Sequence, residues 1–381
     1  MSPAATADPA GIYIHWPFCS RHCSYCSFTI STDESARAAY FQALRREIEV
    51  VAREAGGAAV DSVFFGGGTP SRLSGEEIAM LLSDLRSHFT FHEETEITLE
   101  ANPEDVSPTS LSRWKSAGVT RLSVGVQAFH DGALREVGRV HSAGAARQAL
   151  ADAIRSGMDV SADLILGLPG HAAEAFLADV LEVVSSRACH LSIYLLELDR
   201  AHRLSEDRQR RPERYLTDDE QAAAYLEASQ ELLRRGFEHY EVSSWALPGR
   251  RARHNSKYWS RSPTLGLGVS AHEFWNGRRR GNTTSVREYQ EKLAKGTRPS
   301  AFSREIDRDE AEREQIFLGA RTSRGVPEAK LESWLDRRAD SRLRSDWDQW
   351  LQAGIVVHRE GHYALSEKGF LISNEVLCRF V

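Results

Sequence analysis

Short runs of β-branched, aliphatic and aromatic residues recur through the first half of the chain, each followed by a longer stretch with helical spacing. The runs are 12–15, 62–65, 97–101, 121–126, 160–164 and 191–195. Their composition predicts strands. The stretches between them carry helix punctuation. Ser74 and Glu77 have capping-box spacing. Ser107 before Pro108 makes an N-cap and first-turn pair, and Gly118 and Gly157 stand where helices should stop. Strands alternating with helices imply right-handed βαβ crossovers and a parallel sheet. Six such units form most of a (β/α) barrel, shorter than the eight-unit closed form. The expected fold class is therefore α/β, with a partial (β/α)6 TIM-type barrel.

Beyond the barrel, 200–214 is rich in charge and reads as an exposed loop. Thr217 and Glu220 open a long helix that Gly236 closes, and a turn at Pro248-Gly249 leads into an aromatic, glycine-rich stretch ending at Trp275. The basic run Arg278 to Arg280 reads as a solvated loop. From about 303 the pattern becomes helical over 309–320, 327–336 and 343–353. A hairpin follows, 355–358 with 363–365 around Glu360-Gly361, and then a last helix. That order resembles a small winged-helix α+β module. The expected division is a flexible N-terminus over 1–10, the barrel over 11–200, an α/β extension over 201–302 and the winged-helix-like domain over 303–381.

Composition narrows the classes. Of 381 residues, 41% are hydrophobic and 27% charged, which excludes disorder for most of the chain. No run of about 18 apolar residues exists to span a membrane. The first ten residues lack the basic start and apolar core of a secretory signal. A net charge of −6 offers no nucleic-acid footprint. Five cysteines are too few for a disulfide scaffold. Three of the five crowd into one short segment, which in a reducing cytoplasm points to metal or redox chemistry. The expected setting is cytoplasmic.

That segment is Cys19-Ser20-Arg21-His22-Cys23-Ser24-Tyr25-Cys26, C-x3-C-x2-C, directly after the first strand. Barrel active sites are built at that strand end. Three thiolates on one loop suit three irons of a [4Fe–4S] cubane, whose fourth iron normally takes a fourth cysteine. Cys189 and Cys378 are distant and read as buried structural thiols, and Phe28 stands where a nearby fourth cysteine would. One iron is then left for a non-protein ligand. The alternative is a zinc site with His22 or His15 as fourth ligand. Gly66-Gly67-Gly68-Thr69-Pro70 follows the second strand. Its glycines permit close backbone approach and free N–H groups for a ligand, or else form an ordinary turn. Glu100, Gln127, Asp163 and Tyr194 lie at other strand ends, with Arg139 in reach. Singly each reads as a satisfied core or surface residue. Together they favour a ligand site at one barrel mouth. Cluster, glycine loop and polar rim fit S-adenosylmethionine: its amino and carboxylate groups chelate the open iron, and acidic residues suit its ribose and amine.

Residues 13–28, 64–71, 100–103, 123–129, 163–170 and 254–259 are similar to the radical-SAM family of oxygen-independent coproporphyrinogen III oxidases, and the likeness covers nearly the whole chain. Within that family the chain resembles the heme chaperones more than the dehydrogenases. The dehydrogenase motif ends C-x-C, whereas here the last position is Phe28, and only about ten residues precede the first strand. His254-Asn255-Ser256-Lys257-Tyr258-Trp259 matches the chaperones' H-N-x-x-Y-W, while Ser27 stands where an acidic residue is common. The resemblance implies a [4Fe–4S] cluster on Cys19, Cys23 and Cys26. It implies S-adenosylmethionine contacts from Tyr13, Gly67, Gly68, Thr69, Glu100, Gln127, Arg139 and Asp163, with Tyr25 flanking the cluster or the adenine. His254 becomes a heme-ligand candidate, against a packed histidine beside Tyr258 and Trp259, with His272 and His239 next in line. The partners implied are heme, a heme-acceptor protein, an electron donor and the membrane periphery, with no nucleic acid. Two other readings stay open. One is a radical enzyme acting on a porphyrinogen or similar substrate. The other is a nucleic-acid binder using the C-terminal module, where Arg337-Arg338 is offset by Asp336 and Asp340.

Overall fold

The computed structural model describes residues 8–198, 203–338 and 341–380. Residues 1–7 of the expected flexible N-terminus, residues 200–202 of the expected loop, and Asp340 lie outside the described residues. Ala10, counted with that N-terminus, already belongs to a strand. The six predicted strands are β1 (Ala10–Trp16), β2 (Ala59–Gly67), β3 (Thr90–Ala101), β4 (Arg121–Gln127), β5 (Asp159–Leu166) and β6 (His190–Leu195). They are followed by β7 (Glu238–Glu241), β8 (Ser244–Ala246), β9 (Thr264–Leu267), β10 (His272–Trp275), β11 (Arg278–Asn282) and β12 (Ser300–Glu305). All share one sheet, ordered β12-β11-β10-β9-β1-β2-β3-β4-β5-β6-β8-β7. β1 to β6 are parallel neighbours, so the partial barrel of the α/β class is present and the later strands extend it at both edges.

The pleat sorts the side chains. On β1, Ile12, Ile14 and Trp16 are fully buried beneath the helix Arg37–Ala55, whose Leu44 and Ile48 join the same core. The alternate positions, Tyr13 and His15, face the lumen with Phe64, Glu100, Ser123 and Asp163 of the following strands. The parallel register brings Glu100 opposite Ser123, Ser123 opposite Ser161, and Asp163 opposite Ser192. Helix starts are locked by capping boxes at Ser74–Glu77, Ser107–Ser110 and Thr217–Glu220. No helix among the described residues is long and apolar enough to cross a membrane.

Two loop expectations are corrected. Arg203–Arg210 is a helix. Its charges are satisfied locally, Arg208 pairing with Asp218 and Asp207 accepting from the Tyr215 hydroxyl. The Arg278 to Arg280 run is strand β11. Arg278 meets Glu305, Arg279 meets Glu314, and Arg280 meets both Glu54 and Glu273, so carboxylates await each basic side chain. Cys378 is also corrected: it is exposed on the last turn, and Cys189 is only partly buried.

The C-terminal module packs the helices Arg308–Gly319, Glu328–Arg338 and Ser341–Gln352 against the sheet β13 (Val326–Pro327), β14 (Val356–Arg359) and β15 (His362–Leu365). Its separate core includes Leu331, Trp334, Trp347, Phe370 and Phe380. It is pinned to the edge of the large sheet. Val242 N–H donates to the Arg321 carbonyl at 3.0 Å, Ser323 N–H to the Tyr240 carbonyl at 3.1 Å, and Glu367 binds His239 at 2.8 Å. Arg337 and Arg338 pair with Glu312 and Asp309.

Candidate functional site

The cysteine loop leaves β1 and is pinched at its base, where Cys19 N–H donates to the Ser31 carbonyl at 2.9 Å and Ser31 N–H to the Pro17 carbonyl at 2.8 Å. Farther along, Ser24 N–H reaches the Val137 carbonyl at 3.1 Å and Cys26 N–H the Cys23 carbonyl at 3.1 Å. The loop is thereby closed on itself at Ser31 and tied to Val137, just after the short helix Asp131–Glu136. Burial raises the thiol pKa of Cys19 and of Cys26, and the neighbouring cysteines add to the rise. Thr69 offsets part of this at Cys19, its hydroxyl donating to the sulfur at 3.2 Å.

The Gly66–Gly68 backbone approaches this loop as closely as atoms allow. A Cβ at Gly67 would lie 2.5 Å from the His15 ring, and one at Gly68 would lie 2.7 Å from the Pro17 backbone. Gly67 also has a φ of +111°, a conformation side chains rarely adopt. The expectation that these N–H groups stay free for a ligand is corrected. Gly67 donates to Glu100 Oε2 at 3.1 Å, Gly68 to the Trp16 carbonyl at 2.7 Å and Thr69 to the Phe18 carbonyl at 3.1 Å. The glycines serve close packing, and what faces the opening is the side chains they let in.

Those side chains line one cavity of about 670 Å³, together with all three cysteines. Of the site residues expected from the sequence, Tyr25, Gly67, Gly68, Thr69, Glu100, Gln127, Arg139 and Asp163 border it. Burial, reinforced by Asp163, holds the Glu100 carboxyl up at about 8. Asp163 is likewise raised by burial, against bonds from Ser123 and Ser161. Arg139 crosses the opening: its Nη2 donates to Asn102 Oδ1 at 2.7 Å and to the Gly125 carbonyl at 2.9 Å, while Nη1 stands 4.0 Å from Cys23 Sγ. Its Nε is buried without a partner. Gln127 ends β4 with a φ of +65° at a register shift, an outlier of the kind concentrated at ligand sites.

Tyr13 and His254 are not among the lining residues. Tyr13 sits one layer deeper, its hydroxyl donating to His15 Nδ1 at 3.1 Å, while His15 Nε2 donates to the Thr29 carbonyl at 2.9 Å. His254 is fully buried below Tyr13 and Phe64, and both ring nitrogens are engaged, Nδ1 with Ser62 at 3.1 Å and Nε2 with Tyr258 at 3.0 Å. Burial and Lys257 depress its pKa to about 3, so it is neutral. Iron ligation by either nitrogen of His254 therefore requires one of these two hydrogen bonds to break. His239 is enclosed in the same way, by Glu367 and Tyr225, whereas His272 is exposed and meets the Phe302 ring at a tilt of 58°.

The donor set fits a thiolate-held cluster. Three thiols on one loop, an arginine facing a sulfur and paired carboxylates share a single cavity. For the zinc alternative, His15 has both ring nitrogens bound as above, whereas His22 donates from Nε2 to the Cys26 carbonyl at 3.2 Å, which leaves the lone pair on its Nδ1. Among the described residues no three His, Cys, Asp or Glu side chains converge on a single-ion site, and thiolates that each take a different iron need not converge.

Sequence reasoning missed the far wall. Tyr225, Val242, Arg321, Phe370 and Asn374 line the same cavity from the extension and the C-terminal module. No local motif marks them, because their nearness to the cysteines is created only by the docking of the module. Phe28 and Val140, 61% and 52% exposed, form an apolar rim at the cysteine end.

Residues 13–182 match the Radical SAM superfamily. The chain is 34% identical over 376 residues to the protein named heme chaperone HemW in Mycobacterium tuberculosis (strain ATCC 25618 / H37Rv), covering 97% of this chain and 94% of that one. Its identity to the Bacillus subtilis (strain 168) protein of the same name is 30% over 372 residues, covering 97% and 98%. Among solved structures, Escherichia coli coproporphyrinogen III oxidase (HemN), described as a radical SAM enzyme, aligns over 99% of this chain and 91% of its own with a TM-score of 0.83. At 22% identity that likeness is one of fold.

Proposed function

We infer the function of this chain from its family, for it belongs to the HemW family of radical SAM proteins. It is a heme chaperone that binds heme, carries a [4Fe–4S] cluster with S-adenosylmethionine, and passes the heme to an acceptor protein. The observation that carries this reading is the continuity of the likeness, which spans 97% of the chain from the cysteine loop through the C-terminal module. Phe28 is consistent with it: an exposed phenyl ring rims the opening where the dehydrogenase motif has its last cysteine.

The roles of the residues follow from their chemistry. Cys19, Cys23 and Cys26 hold three irons and leave the fourth to S-adenosylmethionine. Glu100 and Asp163 accept hydrogen bonds from the nucleoside or amine. Arg139 compensates the negative thiolates, and Gly67, Gly68, Thr69 and Gln127 shape the wall. Tyr25 packs beside Arg139 at the cluster. Tyr13 acts one step removed, by orienting His15 behind Gly67. When bound, the cluster and its ligand supply one-electron chemistry at the barrel mouth. A cytoplasmic setting and an electron donor for the cluster belong to the same reading, and so does contact with the membrane periphery.

The test is anaerobic reconstitution of the full chain with iron and sulfide, followed by addition of S-adenosylmethionine and of heme. The reading expects S-adenosylmethionine to perturb the cluster spectrum and heme to give a stable absorption band. A chain that binds neither contradicts it.

A further inference from the structure

The far wall of the cavity carries a buried cation with no counter-ion. Arg321 is 8% exposed and borders the cavity. Its Nη1 donates to the Phe317 carbonyl at 3.2 Å, its Nη2 to Asn374 Oδ1 at 2.8 Å, and its guanidinium lies 3.9 Å from the Phe317 ring centroid. All three partners are neutral. Among the described residues no carboxylate forms an ion pair with it. Two partly buried arginines differ: Arg261 meets Glu314 at 2.6 Å, and Arg298 meets Glu54 and Glu273. Arg121 also lacks a direct pair, yet its charge acts on Asp163 inside the lumen. Arg321 has no such compensation, and burial alone lowers its pKa. An unpaired buried charge is costly unless a ligand completes it.

Its place in the fold separates it from the cluster end. The cysteine and glycine loops leave β1 and β2, while the Arg321 carbonyl is bound by Val242 in the turn between β7 and β8, at the opposite end of the run β1-β2-β3-β4-β5-β6-β8-β7. A carboxylate that chelates the cluster iron is therefore served elsewhere. The cavity lining from β6 and the C-terminal module includes the apolar Leu195, Leu196, Phe370 and Leu371 beside the polar Ser373 and Asn374. A flat apolar ligand with a peripheral carboxylate matches a lining that holds apolar side chains and one guanidinium, and guanidinium forms paired bonds to carboxylates.

We propose that Arg321 is the anchor for a propionate carboxylate of heme, with the macrocycle against the Phe370–Leu371 wall. This rests on the heme-chaperone reading above. The experiment is an equilibrium titration of the full chain, by heme absorbance, with heme and with heme dimethyl ester, in the wild type and in Arg321→Gln and Arg321→Lys. The wild type should bind the free acid at least tenfold more tightly than the diester. Arg321→Gln should bring the two within twofold by weakening the acid alone, and Arg321→Lys should keep part of the preference. Equal wild-type affinity for acid and diester overturns the anchor and leaves the chaperone reading standing, a result that needs no variant to fold. A full preference retained in Arg321→Gln also overturns it. A wild type that binds neither compound overturns both.

Discussion

Glu100→Gln tests whether the cavity is a strained, ligand-awaiting site. The carboxyl is held at about 8, up from 4.5, by burial and then by Asp163, with the Gly67 N–H opposing. A folded pKa above the unfolded one means that the stabilisation is complete below the unfolded value and is lost as pH rises through about 8. At about 1.4 kcal/mol per tenfold, the gap bounds the loss at about 5 kcal/mol. Glu100 is only partly buried and opens onto the cavity, so solvent reduces the figure to roughly 2–3 kcal/mol. Glutamine keeps an oxygen for Gly67 and removes the charge. In urea denaturation of the cluster-free protein under reducing conditions, wild type and variant should match at about pH 5. By about pH 9 the variant should be the more stable, by roughly 2–3 kcal/mol. The same variant should lose much of its spectral response to S-adenosylmethionine while keeping its iron, an exchange of function for stability. A difference between the two proteins that stays constant with pH, or that grows toward acid, refutes the reasoning.

Replacing any one of Cys19, Cys23 or Cys26 with Ala should remove the brown colour and the iron, about four per chain on the cubane reading, while heme absorbance persists; iron analysis checks it. Gly67→Ala meets the His15 ring at 2.5 Å in a left-handed conformation. It should cost about 1–3 kcal/mol in denaturation and abolish the S-adenosylmethionine response. His254→Phe leaves the Ser62 and Tyr258 hydroxyls without their partner. It should cost about 1–3 kcal/mol and leave the heme band where it is, whereas a shifted band would restore His254 as the ligand.

The barrel was legible because its strands are short apolar runs separated by capped helices, and the ends of parallel strands converge whatever the side chains are. Glu100, Asp163 and the cysteines share a cavity for that reason. The glycine loop was half legible. Its close approach follows from composition, but that Glu100, Trp16 and Phe18 take up its N–H groups is a property of the assembled layers. Gln127 carries no mark of its left-handed backbone. Arg278 to Arg280 resembled a loop because the carboxylates that make it a strand, from Glu54 to Glu314, are scattered along the chain. His254 looked like a ligand within its motif, and only the tertiary packing reveals two occupied nitrogens. Arg321 was invisible, since its wall exists only where the C-terminal module meets the β7–β8 turn.

The central claim is that this cavity serves heme carriage rather than porphyrinogen oxidation. The direct measurement is made on one anaerobic, cluster-loaded preparation supplied with S-adenosylmethionine and a reductant, by following heme binding and coproporphyrinogen III consumption side by side. The account predicts a saturable heme absorption band and no vinyl product. Sustained formation of the vinyl product, with no heme bound, would contradict it.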